Sequence, residues 1–175
     1  MLAEFPELPW EMRLELAHQM WDEARHIEIV AKVVEDELGG ELGYGPWSLV
    51  SWRIQNEEDP LRRLTVTNCW AERNLMRTLR QWRTEADKRG LTRIGELCDY
   101  LQADERMHVR LATDWIRRLA DQPRQDELVR WGREAVARLE GFYAGDDYPG
   151  ADDVRFTFMK DGGREDARES VVIGE

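Results

Sequence analysis

Histidine and cysteine are scarce in this 175-residue chain, at three and two residues, and basic charge is in deficit. With 25 Lys and Arg against 36 Asp and Glu, the formal charge is -11. No basic surplus is present to displace counterions from phosphates, which argues against nucleic acid as a partner. The same deficit argues against an anionic membrane surface. No apolar run approaches the length of a membrane span. The opening MLAEFPELPW has neither a basic n-region nor a long apolar h-region, so no signal peptide is expected. The expected location is cytoplasmic. Cys69 and Cys98 both fall on apolar helical faces, which suits buried free thiols.

Helix is abundant. One stretch runs over residues 9–38, with Pro near its start and Gly39-Gly40 as a stop. Its apolar stripe reads Leu16, Met20, Ala24, Ile27, Ala31, Val34 and Leu38. A Gly-rich connection over 39–59 follows, long for a bundle loop, with room for a short helix around 47–55. A second helix starts at Pro60, with Asp59 as N-cap, and ends at Arg89-Gly90. A third covers about 92–120, with the stripe Ile94, Cys98, Leu101, Glu105, Ala112, Ile116 and Leu119. A fourth covers 123–143 and carries Leu128, Trp131, Ala135 and Leu139. The expected organisation is one all-α helical domain over 1–144 and an acidic, Gly-rich tail over 145–175. Strand-like alternation is confined to 154–158.

The chemistry lies in polar residues that interrupt apolar stripes. Glu72 stands among Leu61, Leu64, Asn68, Cys69, Leu75, Met76 and Leu79, at the three- and four-residue steps of one helix face. An ionised carboxylate there loses its water, and an unpaired buried charge is costly. Two further segments repeat the anomaly with a histidine three residues on: Glu23 with His26, and Glu105 with His108. A three-residue step puts both members on one face. Glu72 lies 18 residues before Gly90 and Glu105 lies 15 after it, while Glu23 lies 16 before Gly39. At about 1.5 Å of rise per residue, antiparallel helices bring the three carboxylates to nearly one level. Glu23, His26, Glu72, Glu105 and His108 therefore read as a metal-ligand set. Carboxylates bridge and neutralise two cations while each imidazole supplies a nitrogen, which fits two iron ions, or manganese and iron. The bland alternatives are an ordinary ion pair at a helix edge for Glu23 and His26, and an arginine partner for Glu72. Tyr100 falls on the face of its helix remote from Glu105, which argues against a radical role.

E-x-x-H, a lone Glu and a second E-x-x-H, in that order, resemble the ferritin-like di-iron carboxylate superfamily. The segments WDEARH, NCWAERNL and ADERMHVRLATDWI resemble its DUF455-type members, over about residues 10–120. The resemblance implies a ferritin-like bundle with a long crossover connection. It also implies an oxidase or oxygenase that activates O₂ toward a small organic substrate. In the family a further helix with a lone Glu precedes the first E-x-x-H. No such helix is evident here, so the expectation is a bundle truncated at its N-terminus. Glu15 and His18 form a third E-x-x-H, but eight residues, about 12 Å, separate it from Glu23. A sixth ligand could come from a second subunit, from Glu11 or Glu15, or from nowhere. A bundle short of one helix exposes an apolar groove, so a homodimer or higher oligomer is expected. The alternative function is a non-catalytic metal-binding or scaffold subunit that needs a partner chain.

Overall fold

The computed structural model describes residues 1–40 and 57–140, the last four by backbone alone. The fold is all-α, of the helical-bundle type: among the described residues every regular element is a helix. These are α1 (Trp10–Leu38), α2 (Pro60–Val66), a π-helical segment (Thr67–Glu72), α3 (Arg73–Arg89), α4 (Thr92–Leu119) and α5 (Gln122–Glu140). The long connection with its short helix, the strand-like run at 154–158 and the boundary at 144/145 lie outside the described residues.

The helix ends follow local chemistry. Gly39 takes the left-handed conformation (φ 63°) that a side chain disfavours, and the Gly40 N–H reaches back to the Val34 carbonyl at 3.1 Å. Asp59 accepts from the Leu61 and Arg62 amides at 2.9 and 3.3 Å, ahead of Pro60 in the first turn. Gly90, at φ 69°, turns α3 into α4. Asp121 accepts from the Arg124 amide at 3.0 Å, so α5 begins at Gln122, one residue earlier than Pro123 alone suggests. The expected second helix is not uniform, because its middle widens into the π segment.

Two compact units divide the chain. The first combines Met1–Ser48 with Asn74–His108. Its core holds Leu79, Cys98 and Leu101, packed by Val30, Leu75, Ile94, Leu97 and Tyr100. The α3–α4 hairpin is pinned by Arg83 Nε donating to Asp99 at 2.9 Å and Gln102 Nε2 donating to the Met76 carbonyl at 3.0 Å. Arg93 at the start of α4 holds Asp36 and Glu37 at the end of α1, at 3.3 and 2.8 Å. The second unit combines Leu49–Arg73 with Val109–Glu175. There Leu64, Val66, Cys69, Trp70, Leu128 and Val136 are buried. Arg62 bonds Glu127 at 2.9 Å, and Arg124 pairs with Asp59, tying α2 to α5.

The expected stripe of α1 is a misreading. Of its members, Leu16 is buried, but Met20, Ile27 and Leu38 are 62 %, 66 % and 60 % exposed. The face turned inward carries Met12, Leu16, Asp22, His26 and Val33. The reason is that α1 is apolar on two sides, and a periodicity argument picks the side with more large aliphatic residues. The side that is buried holds polar residues.

Candidate metal centre

Four of the five expected ligands belong to the first unit. Glu23 and His26 come from α1, and Glu105 and His108 from α4. Glu105 and His108 are each 2 % exposed and His26 is 6 % exposed, whereas the Glu23 side chain is half-exposed. His108 Nδ1 lies 3.4 Å from both a Glu23 and a Glu105 oxygen. His26 Nδ1 lies 3.6 Å from the other Glu23 oxygen and 3.7 Å from the other Glu105 oxygen. The imidazole centroids are 6.1 Å apart. Each carboxylate thus stands between both imidazoles, and each imidazole between both carboxylates. One oxygen each of Glu23 and Glu105 and one His108 nitrogen lie within 4.8 Å of one another, close enough to hold a metal ion.

The opposite edges of the two rings are gripped crosswise. His26 Nε2 meets Asp104 Oδ2 at 3.0 Å, and His108 Nε2 meets Asp22 Oδ2 at 3.2 Å. His26 of α1 is thus held by an aspartate of α4, and His108 of α4 by an aspartate of α1. A carboxylate at Nε2 favours the tautomer that carries its proton there, leaving the Nδ1 lone pair toward the glutamates. Lone pair and carboxylate then face each other at 3.4 to 3.7 Å, beyond hydrogen-bond length. Glu105 Oε2 is buried and accepts no hydrogen bond. Such an arrangement of acceptors could hold a cation.

Electrostatics agree. Burial and the neighbouring Glu105 carboxylate push the Glu23 carboxyl above its ordinary range. Burial also acts to raise Asp22, but hydrogen bonds from Arg25 and His108 outweigh it and hold that carboxyl below its ordinary value. Arg25 pairs with Asp22, approaches Asp104 at 3.4 Å and lies over the Tyr100 ring at 5.4 Å. One guanidinium therefore spans both carboxylates that orient the histidines.

Glu72 belongs to the second unit, where it closes the π segment. It is 8 % exposed and accepts from Asn68 Nδ2 at 2.9 Å. His18 is 72 % exposed, and Glu11 and Glu15 are exposed on α1, away from the buried set. Tyr100 does sit round its helix from Glu105, yet its ring meets His26 edge-on at 6.2 Å. Asp22, Asp104 and Arg25 are functional candidates that the stripe argument passed over. The available signal was that both E-x-x-H segments are immediately preceded by Asp, giving Asp22-Glu23 and Asp104-Glu105.

No family model, no curated protein and no solved structure matches this chain.

Proposed function

We propose that the chain is a di-metal carboxylate oxidase or oxygenase of the ferritin-like type, holding two iron ions, or manganese and iron. The observation that carries this reading is the alternation of two carboxylates with two imidazole Nδ1 atoms at 3.4 to 3.7 Å. Four acceptor groups of mixed oxygen and nitrogen type suit iron and manganese, and carboxylates can bridge two such ions. Glu23, His26, Glu105 and His108 hold the metals in this proposal. Bound metal would supply the redox chemistry that activates O₂ toward a small organic substrate. The protein's own contribution is positional. Asp22 and Asp104 keep the imidazole protons on Nε2, and Arg25 holds both aspartates in place.

Metal analysis after anaerobic loading tests the reading. Two ions per chain are expected, with a new absorption band when the ferrous protein meets O₂, and Glu105→Ala is expected to abolish the band. A folded protein that binds no metal under these conditions would instead be the non-catalytic subunit.

We also propose that the protein is a homodimer formed through α1. Trp10, Leu14, Met20, Trp21, Ile27 and Leu38 are each more than half exposed along this one helix. Monomers rarely leave so continuous an apolar face in water. An antiparallel copy related by a two-fold axis at Ala24 sets Trp10 against Leu38, Trp21 against Ile27 and Ala17 against Ala31. The same register sets Arg13 against Glu35, so both charge and size are self-complementary.

A further inference from the structure

Arg77, Arg80 and Arg106 gather on the α3–α4 hairpin of the first unit without a carboxylate partner among the described residues. Arg77 and Arg80 are one turn apart on α3 and share a face. Arg106 is brought to that face by a relay. Its Nη2 donates to Gln102 Oε1 at 3.0 Å, and Gln102 Nε2 in turn donates to the Met76 carbonyl at 3.0 Å. Arg80 Nε and Nη1 are shielded from solvent and donate no hydrogen bond. Among the described residues, none of the three arginines forms an ion pair. Burial together with the positive charges of Arg106 and Arg77 lowers the pKa of Arg80. Elsewhere on this hairpin arginines are matched. Arg83 has Asp87 and Asp99, and Arg89 has Glu85. In a chain with 36 acidic residues to 25 basic ones, three neighbouring arginines with no acidic partner among the described residues are an unbalanced charge. A bound anion would balance it.

We propose that Arg77, Arg80 and Arg106 bind the dianionic phosphate of free phosphate or of a small phosphomonoester. A carboxylate offers two oxygens and one charge, which one guanidinium can satisfy bidentately. A phosphate monoester offers three oxygens and up to two charges, and so suits three forks at once. Arg77 and Arg106 are exposed and give the anion access, while the shielded Arg80 forms the floor. None of the three arginines is among the proposed metal ligands, although Arg106 directly follows Glu105 on α4.

Isothermal titration of the metal-loaded protein with inorganic phosphate, phenyl phosphate and acetate tests the assignment. One saturable site per chain is expected for phosphate or phenyl phosphate, and the tighter of the two names the source. Acetate is expected to bind at least about tenfold more weakly. The variant Arg77→Gln/Arg106→Gln changes two exposed side chains outside the metal set, and should lose at least about tenfold in phosphate affinity. Its metal content and circular dichroism should stay unchanged. No saturable binding, equal binding of acetate, or phosphate binding that survives in the double variant would each overturn the proposal. Without phosphate the double variant should melt no lower than the wild type, since it relieves like-charge repulsion.

Discussion

At the scale of single residues, the crosswise aspartates decide how firmly the imidazoles are presented. Asp104→Asn keeps the size of the side chain but removes the charge that favours the proton on His26 Nε2. Partners of this kind typically contribute 10- to 100-fold to metal affinity, so a loss of about that size is expected, read by competition with a chelator of known affinity. Asp22→Asn should act likewise on His108. The two cysteines make the contrasting case. Cys69 and Cys98 are 0 % and 3 % exposed, and burial followed by the Asp99 charge raises the Cys98 thiol. Neither should react with a thiol reagent in the folded protein at neutral pH, and both should react on unfolding. Rapid labelling of either in native buffer would contradict the packing. The burial of Glu105 and His108 was legible in the sequence because a polar residue inside an apolar stripe violates a local rule. That of Asp22 and Asp104 was not, because an acidic residue at a helix edge reads as a solvated one until another helix covers it. Burial of such a residue is a tertiary fact, and no single helix's pattern carries it.

At the scale of elements, caps and turns were the most legible parts, because their causes lie within four residues of each other. Asp59 shows how much one cap holds. Its Oδ1 accepts from the Leu61 and Arg62 amides, and the same carboxylate pairs with Arg124 of α5. Asp59→Ala should therefore cost at least the about 1 kcal/mol typical of a lost N-cap. Urea unfolding followed by circular dichroism measures this. An unchanged midpoint would show that α2 needs no cap. The π segment was illegible for the opposite reason. TNCWAE has no composition that separates it from α-helix, and its buried side chains are Asn68, Cys69, Trp70 and Glu72. Such segments recur at functional sites in helical proteins, which fits the placement of a buried carboxylate at its end. The misread face of α1 belongs to this scale too. A helix apolar on two sides has two candidate inner faces, and only packing selects between them.

At the scale of the whole molecule, the outward face of α1 is the feature that stands out. Trp10, Trp21 and Ile27 are each more than 60 % exposed, and water contact with side chains of this size costs roughly 1.5–3 kcal/mol apiece relative to full burial. A second copy packed antiparallel covers all of them at once, and covers the Ala17, Ala24 and Ala31 steps where two helices approach closely. Light scattering after size exclusion should therefore give twice the 20.6 kDa chain mass at micromolar concentration. Ile27→Glu places a carboxylate opposite Trp21 of the partner subunit and should return the mass to that of one chain, with helix content retained. Arg13→Glu should weaken the dimer by turning its pairing with Glu35 of the partner subunit into repulsion, and the further change Glu35→Arg should restore it. Rescue by charge exchange separates this antiparallel register from mere hydrophobic adhesion, which would survive both charge changes. A wild-type protein that runs as a monomer at every accessible concentration would remove the dimer from the account, and leave the α1 face to a different chain.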